Sequence, residues 1–335
     1  MWKIGNVIID SHVVLAPMAG ITSVYYREFF KKFGVGYSVT EMISARSIVN
    51  HNKRVKELLR MSKIDIPVAV QLFSDNTDVM LKAISIIDDM NIKYDILDIN
   101  LACPAKKIIG SKSGIFWIKD INKLLSYIEK IVNFSKKPVT VKMRLGFDKI
   151  IDITSLALSL ERIGVAAIAI HARTGKQLYS GEANFKAIKD LGKKIKIPLI
   201  ISGDIFSLEK AIEAVKITSA TAVMVARGGL GNPFLVTQIS EFFKKNVKLS
   251  KPTLFKQIEY CQELFNIFFK KESEKKIKFL IKRIAPHFFT NFYNASFIRL
   301  MLTQKVETVN DFENFLKKIK KELKDGYKNK NKWFY

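Results

Sequence analysis

The 335-residue sequence predicts an α/β protein: a (β/α)8 TIM barrel over residues 1–243, followed by a small all-α domain over 244–335. Three observations carry this. Eight short runs rich in Val and Ile alternate with helical stretches between residues 12 and 242, and strands alternating with helices build parallel βα units. The runs are almost wholly apolar, as strands are when both faces of a sheet are covered. The last 95 residues lose that pattern and place apolar residues at helical spacing. Eight units in this length suit a closed barrel. A doubly wound sheet is the alternative, weakened because no G-x-G-x-x-G follows the first run.

At the N-terminus, MWKIGNVIIDSHVVLAPMAG has the outline of a signal peptide, but Asp10 and His12 interrupt it and a first strand is expected. The runs are VVLAP (13–17), GYSVTEM (36–42), PVAVQL (67–72), YDILDIN (94–100), PVTVKMR (138–144), AAIAIHAR (166–173), PLIISGD (198–204) and TAVMVAR (221–227). Each ends in something polar or conformationally special: Pro17-Met18, Glu41, Gln71, Asn100, Lys142 and Arg144, His171 and Arg173, Ser202-Gly203-Asp204, Arg227. In a barrel these ends converge on the C-terminal face, where active sites form.

The loops after the last two runs, SGDIFSLEKA and ARGGLGNP, stand where barrels hold a phosphate. Glycines 203, 228, 229 and 231 permit close backbone approach, and Arg227 offers a planar donor fork. A phosphate-bearing cofactor is the inference. Lys142 is suited to stabilise a reduced, anionic ring, and Gln71 to bond ring edges. His171 stands between two readings, a hydrogen-bonded core histidine and a residue of the mouth.

KKNVKLSKPT (244–253) reads as a linker. TLFKQIEYCQELFNIFF (253–269) places Leu254, Ile258, Cys261, Phe265 and Phe268 on one helical face. VNDFENFLKKIKKELKDG (309–326) does the same with Phe312, Phe315, Leu316, Ile319 and Leu323, with Asn310 as expected N-cap, Gly326 as stop and Lys317, Lys318, Lys321 and Lys324 opposite. Of the net charge of +25, residues 241–335 hold +12. So local an excess suits a polyanionic partner. The two cysteines, Cys103 and Cys261, make no disulfide framework, so reduced thiols in a cytoplasmic protein are expected. No spacing suggests a metal site, and no apolar run is long enough to span a membrane.

LAPMAGIT (15–22), VTEMIS (39–44), VQLF (70–73), LDINLACPAKKI (97–108), VKMRLGF (141–147), IHARTGKQLYSGEANF (170–185), ISGDI (201–205) and VMVARGGLGNPF (223–234) together resemble the tRNA-dihydrouridine synthases, the bacterial B-type branch above all. FLIKRIAPHFFTNF (279–292) is more loosely similar to that family's helical RNA-binding domain. The resemblance implies an FMN-dependent oxidoreductase that reduces the 5,6 double bond of uridine in tRNA, with NADPH as reductant, acting as a monomer. It implies that Pro17, Met18 and Ala19 line the flavin, that Gln71 and Lys142 contact its ring, that Asn100 bonds the ring or the cysteine loop, and that His171 sits beside flavin and substrate. It assigns the phosphate end to Ser202, Gly203, Asp204, Ala226 and Arg227. Lys106, Lys107, Arg173, Lys282 and Arg283 are expected to face RNA, and Cys103 to be the proton donor. Two departures stand out. Leu101-Ala102 replaces the usual Met-Gly before the cysteine, and Ile115-Phe116 replaces a Ser-Ala pair in the loop expected to close over the substrate. Two other readings stay open at this point: a flavin barrel acting on a free pyrimidine, and an RNA-binding protein with a silent barrel.

Overall fold

In the computed structural model, which describes residues 1–290 and 295–327, all eight alternating runs contain strands. An N-terminal hairpin, β1 (Trp2–Ile4) and β2 (Val7–Ile9), precedes β3 (Val13–Leu15), β4 (Tyr37–Val39), β5 (Ile43–Ser44), β6 (Val68–Phe73), β7 (Ile96–Leu101), β8 (Val139–Arg144), β9 (Ala167–His171), β10 (Leu199–Ser202) and β11 (Ala222–Val225). Strands pair in the order β4-β3-β11-β10-β9-β8-β7-β6-β5, and β4 also pairs with β6, closing an eight-stranded barrel with β5 appended. All these pairings are parallel, and helices lie between successive barrel strands.

The N-terminus corrects the expectation of a single strand. WKI and VII flank the two-residue turn Gly5-Asn6, with Gly5 at φ +56°. Glycine and asparagine tolerate that backbone, so the segment folds back on itself. Trp2, Ile4 and Ile9 pack with Tyr37, Ile96, Ala167 and Ala222, the first residues of four barrel strands. The hairpin therefore plugs the N-terminal end of the barrel, where each buried isoleucine contributes on the order of 2 kcal/mol. GYSVTEM also yields a shorter strand than expected, because after Val39 the Thr40 hydroxyl accepts from the Gln71 N–H and ladder pairing stops.

The chain divides into two units: Met1–Gly228 with Ile239–Val247, and Gly229–Gln238 with the chain from Lys248 onward. Helix Pro233–Lys245 extends into the expected linker and ends at Asn246, whose φ of +56° no helix continues. In the second unit, helix Leu254–Lys271 is capped by the Thr253 side chain and buries Leu254, Ile258, Cys261, Phe265 and Phe268. The Phe265 ring lies 4.6 Å from that of Phe312, on helix Val309–Tyr327. Phe312, Leu316, Ile319 and Leu323 are buried, Phe315 half-buried, and Lys317, Lys318 and Lys321 exposed. That helix corrects two expectations. Its N-terminus is capped by Thr308 rather than Asn310, because Thr308 and Asp311 exchange side chain-to-N–H bonds in a capping box. It also runs through Gly326, since one glycine costs a helix only about 1 kcal/mol. The Lys324 side chain, the tail from residue 328 and the last two residues of FLIKRIAPHFFTNF lie outside the described ones. Among the described residues no helix is long and apolar enough to cross a membrane.

Candidate active site

Side chains two apart on a strand share a face. Ile96 belongs to the barrel core, so Asp98 and Asn100 follow it up the interior toward the C-terminal end. Lateral register sets Gln71 beside Asp98, Asp98 beside Thr140, and Asn100 beside Lys142. All but the half-buried Lys142 are buried, so their polar atoms must find partners inside. Gln71 Nε2 donates to Asp98 Oδ2 at 2.7 Å, and Thr140 Oγ1 donates to Asp98 Oδ1 at 2.6 Å. Asn100 Nδ2 donates to Gln71 Oε1 at 2.8 Å. Burial pushes the Asp98 carboxyl up to about 6, opposed by those two hydrogen bonds and by the Lys142 charge. Burial brings the Lys142 amine down to about 8, with Arg144 adding to the shift and Asp98 and Cys103 resisting it.

Cys103 stands just past β7. Asn100 Oδ1 accepts from the N–H groups of Ala102 and Cys103, at 3.0 and 2.9 Å. Arg144 Nε donates to the Ala102 carbonyl, and its Nη1 to the carbonyls of Thr174 and Leu178. One buried guanidinium thus ties the cysteine loop to the loop after β9. Burial raises the half-buried thiol above its ordinary value, only partly offset by a hydrogen bond from the Ala105 N–H and the charges of Lys142 and Arg144. The thiol is therefore protonated at neutral pH. Ile115 is wholly buried, and its N–H meets the Cys103 carbonyl at 3.4 Å. Its side chain fits because residue 175 is glycine: a Cβ there would lie 2.6 Å from Ile115 Cδ1. The bulky departure is thus seated beneath the cysteine loop.

Around the ends of β9, β10 and β11 the site turns cationic. His171 Nε2 lies 3.2 Å from Arg173 Nη1. A guanidinium only donates, so Nε2 accepts and the imidazole proton sits on Nδ1. Burial, reinforced by Lys142, Arg144, Arg173 and Arg227, pushes His171 down to about 2 and keeps it neutral. Asp204 Oδ2 accepts from Arg173 Nη2 at 2.6 Å and from the Ala183 N–H at 2.8 Å, and Arg227 lies 3.6 Å from the other carboxylate oxygen. Arg227 is 43% exposed and sits 4.7 Å above the Tyr179 ring. Gly203, at φ +113°, packs where a Cβ would lie 3.0 Å from His171 Cδ2. A Cβ at Gly228 would fall 1.9 Å from the Ile205 carbonyl oxygen, so glycine lets the loops after β10 and β11 touch backbone to backbone. Among the described residues the N–H groups of Gly203 and Asp204 meet no protein acceptor. Free amides beside a half-exposed arginine fit an anionic group such as a phosphate.

Pro17 and Met18 are half-buried and Ala19 exposed in the loop after β3, where the Thr22 hydroxyl accepts from the Met18 N–H. Ser202 pairs with His171 in register, and Ala226 follows β11 directly. Lys106 and Lys107 are exposed, two and three residues beyond Pro104. Arg173 is not the exposed cation expected for an RNA contact. It is buried, and its guanidinium is committed to Asp204, His171 and the carbonyls of Ser180 and Gly181. Lys282 pairs with Glu307 at 3.3 Å, whereas Arg283 is exposed over the Phe279 ring. Sequence reasoning passed over Asp98, Thr140 and Tyr179. The signal for two of them was the period-two spacing of Asp98 with Asn100 and of Thr140 with Lys142.

A sequence profile of the dihydrouridine synthase (Dus) family matches residues 14–324. A probable tRNA-dihydrouridine synthase of Rickettsia bellii is 37% identical over 265 residues, spanning 78% of this chain and 81% of that protein. A tRNA-dihydrouridine synthase B of Pasteurella multocida is 33% identical over 276 residues, spanning 79% and 81%. A probable tRNA-dihydrouridine synthase 1 of Synechocystis is 29% identical over 316 residues, spanning 94% and 88%.

Proposed function

The chain belongs to the dihydrouridine synthase family, and from that premise we propose that it is a cytoplasmic, flavin-dependent oxidoreductase that reduces the C5–C6 double bond of uridines in tRNA. The observation that carries this reading is Cys103: a protonated thiol, held by Asn100 at the end of β7, beside a cationic cradle on the same barrel face. FMN is the flavin proposed. Gln71, Lys142 and His171 would hold its ring, and Gly203, Asp204 and Arg227 its phosphate end. The chemistry a bound FMN supplies is a hydride equivalent, drawn from NAD(P)H and delivered to C6 of the uracil. The remaining work falls to the protein. Sγ of Cys103 gives the proton to C5, completing the addition of two hydrogens, and water restores the thiol. Lys142 and Arg144 favour the thiolate that remains. Neutral His171 can donate from Nδ1 to a carbonyl oxygen of the base without bringing a second acid to the site.

Uridine must leave its stack to reach a barrel mouth, at a cost of a few kcal/mol. The local basic excess, with Lys106, Lys107 and Arg283 exposed, suits phosphate contacts that offset it. Affinity for tRNA is therefore expected to fall about 100-fold or more between 50 and 200 mM salt. Filter binding across that range checks it, and a change below about 3-fold would remove the electrostatic part of the proposal.

The reading is tested by incubating purified flavin-loaded protein with NADPH and an unmodified tRNA transcript, then digesting the RNA for mass spectrometry. Dihydrouridine at defined positions, matched by NADPH oxidation, is expected. Turnover of free uracil with none of tRNA would replace this reading with a small-molecule reductase.

A further inference from the structure

Asp98 lies too deep to meet a base, one step below Asn100 on the inner face of β7, yet it is ionisable and wholly enclosed. Its ionised form does not stabilise the fold. With its carboxyl raised to about 6, the folded state binds that proton more tightly than the unfolded chain does. The stability it lends is therefore present at acid pH and is lost as pH rises through about 6.

We infer that Asp98 is a positioning residue for Cys103, acting by setting the polarity of two amides in series. This inference rests on the reading of Cys103 as the proton donor. An ionised carboxylate only accepts hydrogen bonds. Gln71 must therefore turn its NH2 toward Asp98, as the 2.7 Å contact shows. Its carbonyl then faces Asn100, which can only answer with its own NH2, at 2.8 Å. The Asn100 carbonyl is left pointing at the N–H groups of Ala102 and Cys103. Those two N–H groups demand an acceptor, so both ends of the relay require the same polarity. Were Gln71 to flip, Asn100 would flip with it and present NH2 to two N–H donors, releasing the cysteine backbone. Thr140 holds the second carboxylate oxygen and keeps the anion aimed at Gln71.

The test uses the full chain and two readouts. One is the iodoacetamide alkylation rate of Cys103, resolved by mass spectrometry, with the denaturant midpoint of the barrel measured alongside to report unfolding. The other is single-turnover oxidation of the pre-reduced, flavin-loaded enzyme by tRNA. Asp98→Asn alone can keep its oxygen toward Gln71 while its NH2 meets the Thr140 hydroxyl acting as acceptor. Thr140→Val alone leaves the Asp98–Gln71 contact intact. Each single variant is expected to lose less turnover than the double variant, and the double variant to lose more than the two single effects combined. The double variant Asp98→Asn/Thr140→Val preserves volume at both sites but removes the Asp98 end of the relay, leaving only the N–H groups of Ala102 and Cys103 to orient the amides. It is expected to slow tRNA turnover about 30-fold and raise Cys103 alkylation about 10-fold, the scale of one lost charge-assisted hydrogen bond. The denaturant midpoint and the KM for tRNA are expected to stay unchanged. Asp98→Ala is expected to match the double variant. Additive small effects in the double variant, with the denaturant midpoint unchanged, would overturn the inference. A large drop in the barrel's denaturant midpoint in the isosteric double variant would do the same, by making the network a folding element. Failure of wild-type enzyme to be oxidised by tRNA would instead defeat the proposed reaction, and the alkylation data would still decide the relay.

Discussion

Cys103→Ala is expected to lower the rate of dihydrouridine formation about 1,000-fold while leaving the KM for tRNA within about 3-fold, the scale of a lost general acid that makes no binding contact. The loss follows from geometry. The cysteine backbone is held by Asn100, and Arg144 anchors the adjoining Ala102 carbonyl. A water molecule taking the place of the thiol would have no such hold. The thiol is also in the right protonation state, since burial raises it above its ordinary value. The reaction needs Cys103 protonated and Lys142 charged, and both conditions weaken as pH rises. Lys142, brought down to about 8, is the first to fail, so the wild-type rate is expected to decline through about pH 8. Single-turnover rates across pH, with tRNA in excess, test both statements. Retention of a tenth of the activity by Cys103→Ala would move the proton donor elsewhere.

Arg27→Met is expected to destabilise the protein by about 3–5 kcal/mol, the usual cost of stripping one partner from a buried ion pair. Arg27 and Asp65 are both buried, with Nε 2.6 Å from Oδ2. The other guanidinium nitrogens donate to the carbonyls of Thr22 and Arg60. Among the described residues Asp65 Oδ1 meets no hydrogen-bond donor, so the carboxylate loses its main partner when the arginine is gone. Through Thr22 the same arginine braces the loop after β3, because the Thr22 hydroxyl accepts from the Met18 N–H. Denaturant unfolding of the variant measures the loss. Arg27→Met/Asp65→Leu is expected to recover most of it, since an apolar pair of similar volume replaces a buried ion pair at little cost. A single variant within about 1 kcal/mol of wild type would show the pair to be dispensable.

The barrel was legible in the sequence because its signal is local and repeated. Runs such as PVAVQL and PVTVKMR have no other way to bury both faces than a covered parallel sheet. The hairpin was not legible while the N-terminal segment read as a first strand; its mark is the Gly5-Asn6 turn. Thr308 was passed over for Asn310 because both are good caps by type, and the exchange with Asp311 decides between them. Arg173 shows the same limit at the site. A strand-end arginine reads as a surface cation, and only the return of the loop after β9 encloses it among Asp204, Ser180 and Gly181.

Eight strands alternating with helices, polar strand ends on one face, and Cys103 after the fourth of the barrel strands all follow from the amino-acid sequence. Periodicity and chain direction suffice for those, since each depends on residues close in the chain. Tertiary structure alone decided which charges are enclosed and which way the amides point. Gln71, Asp98 and Thr140 are 27 and 42 residues apart and meet only through the lateral register of β6, β7 and β8. Hydrogen bonds between neighbouring strands set that register, and a slip of one residue would turn each of these side chains away from the barrel interior.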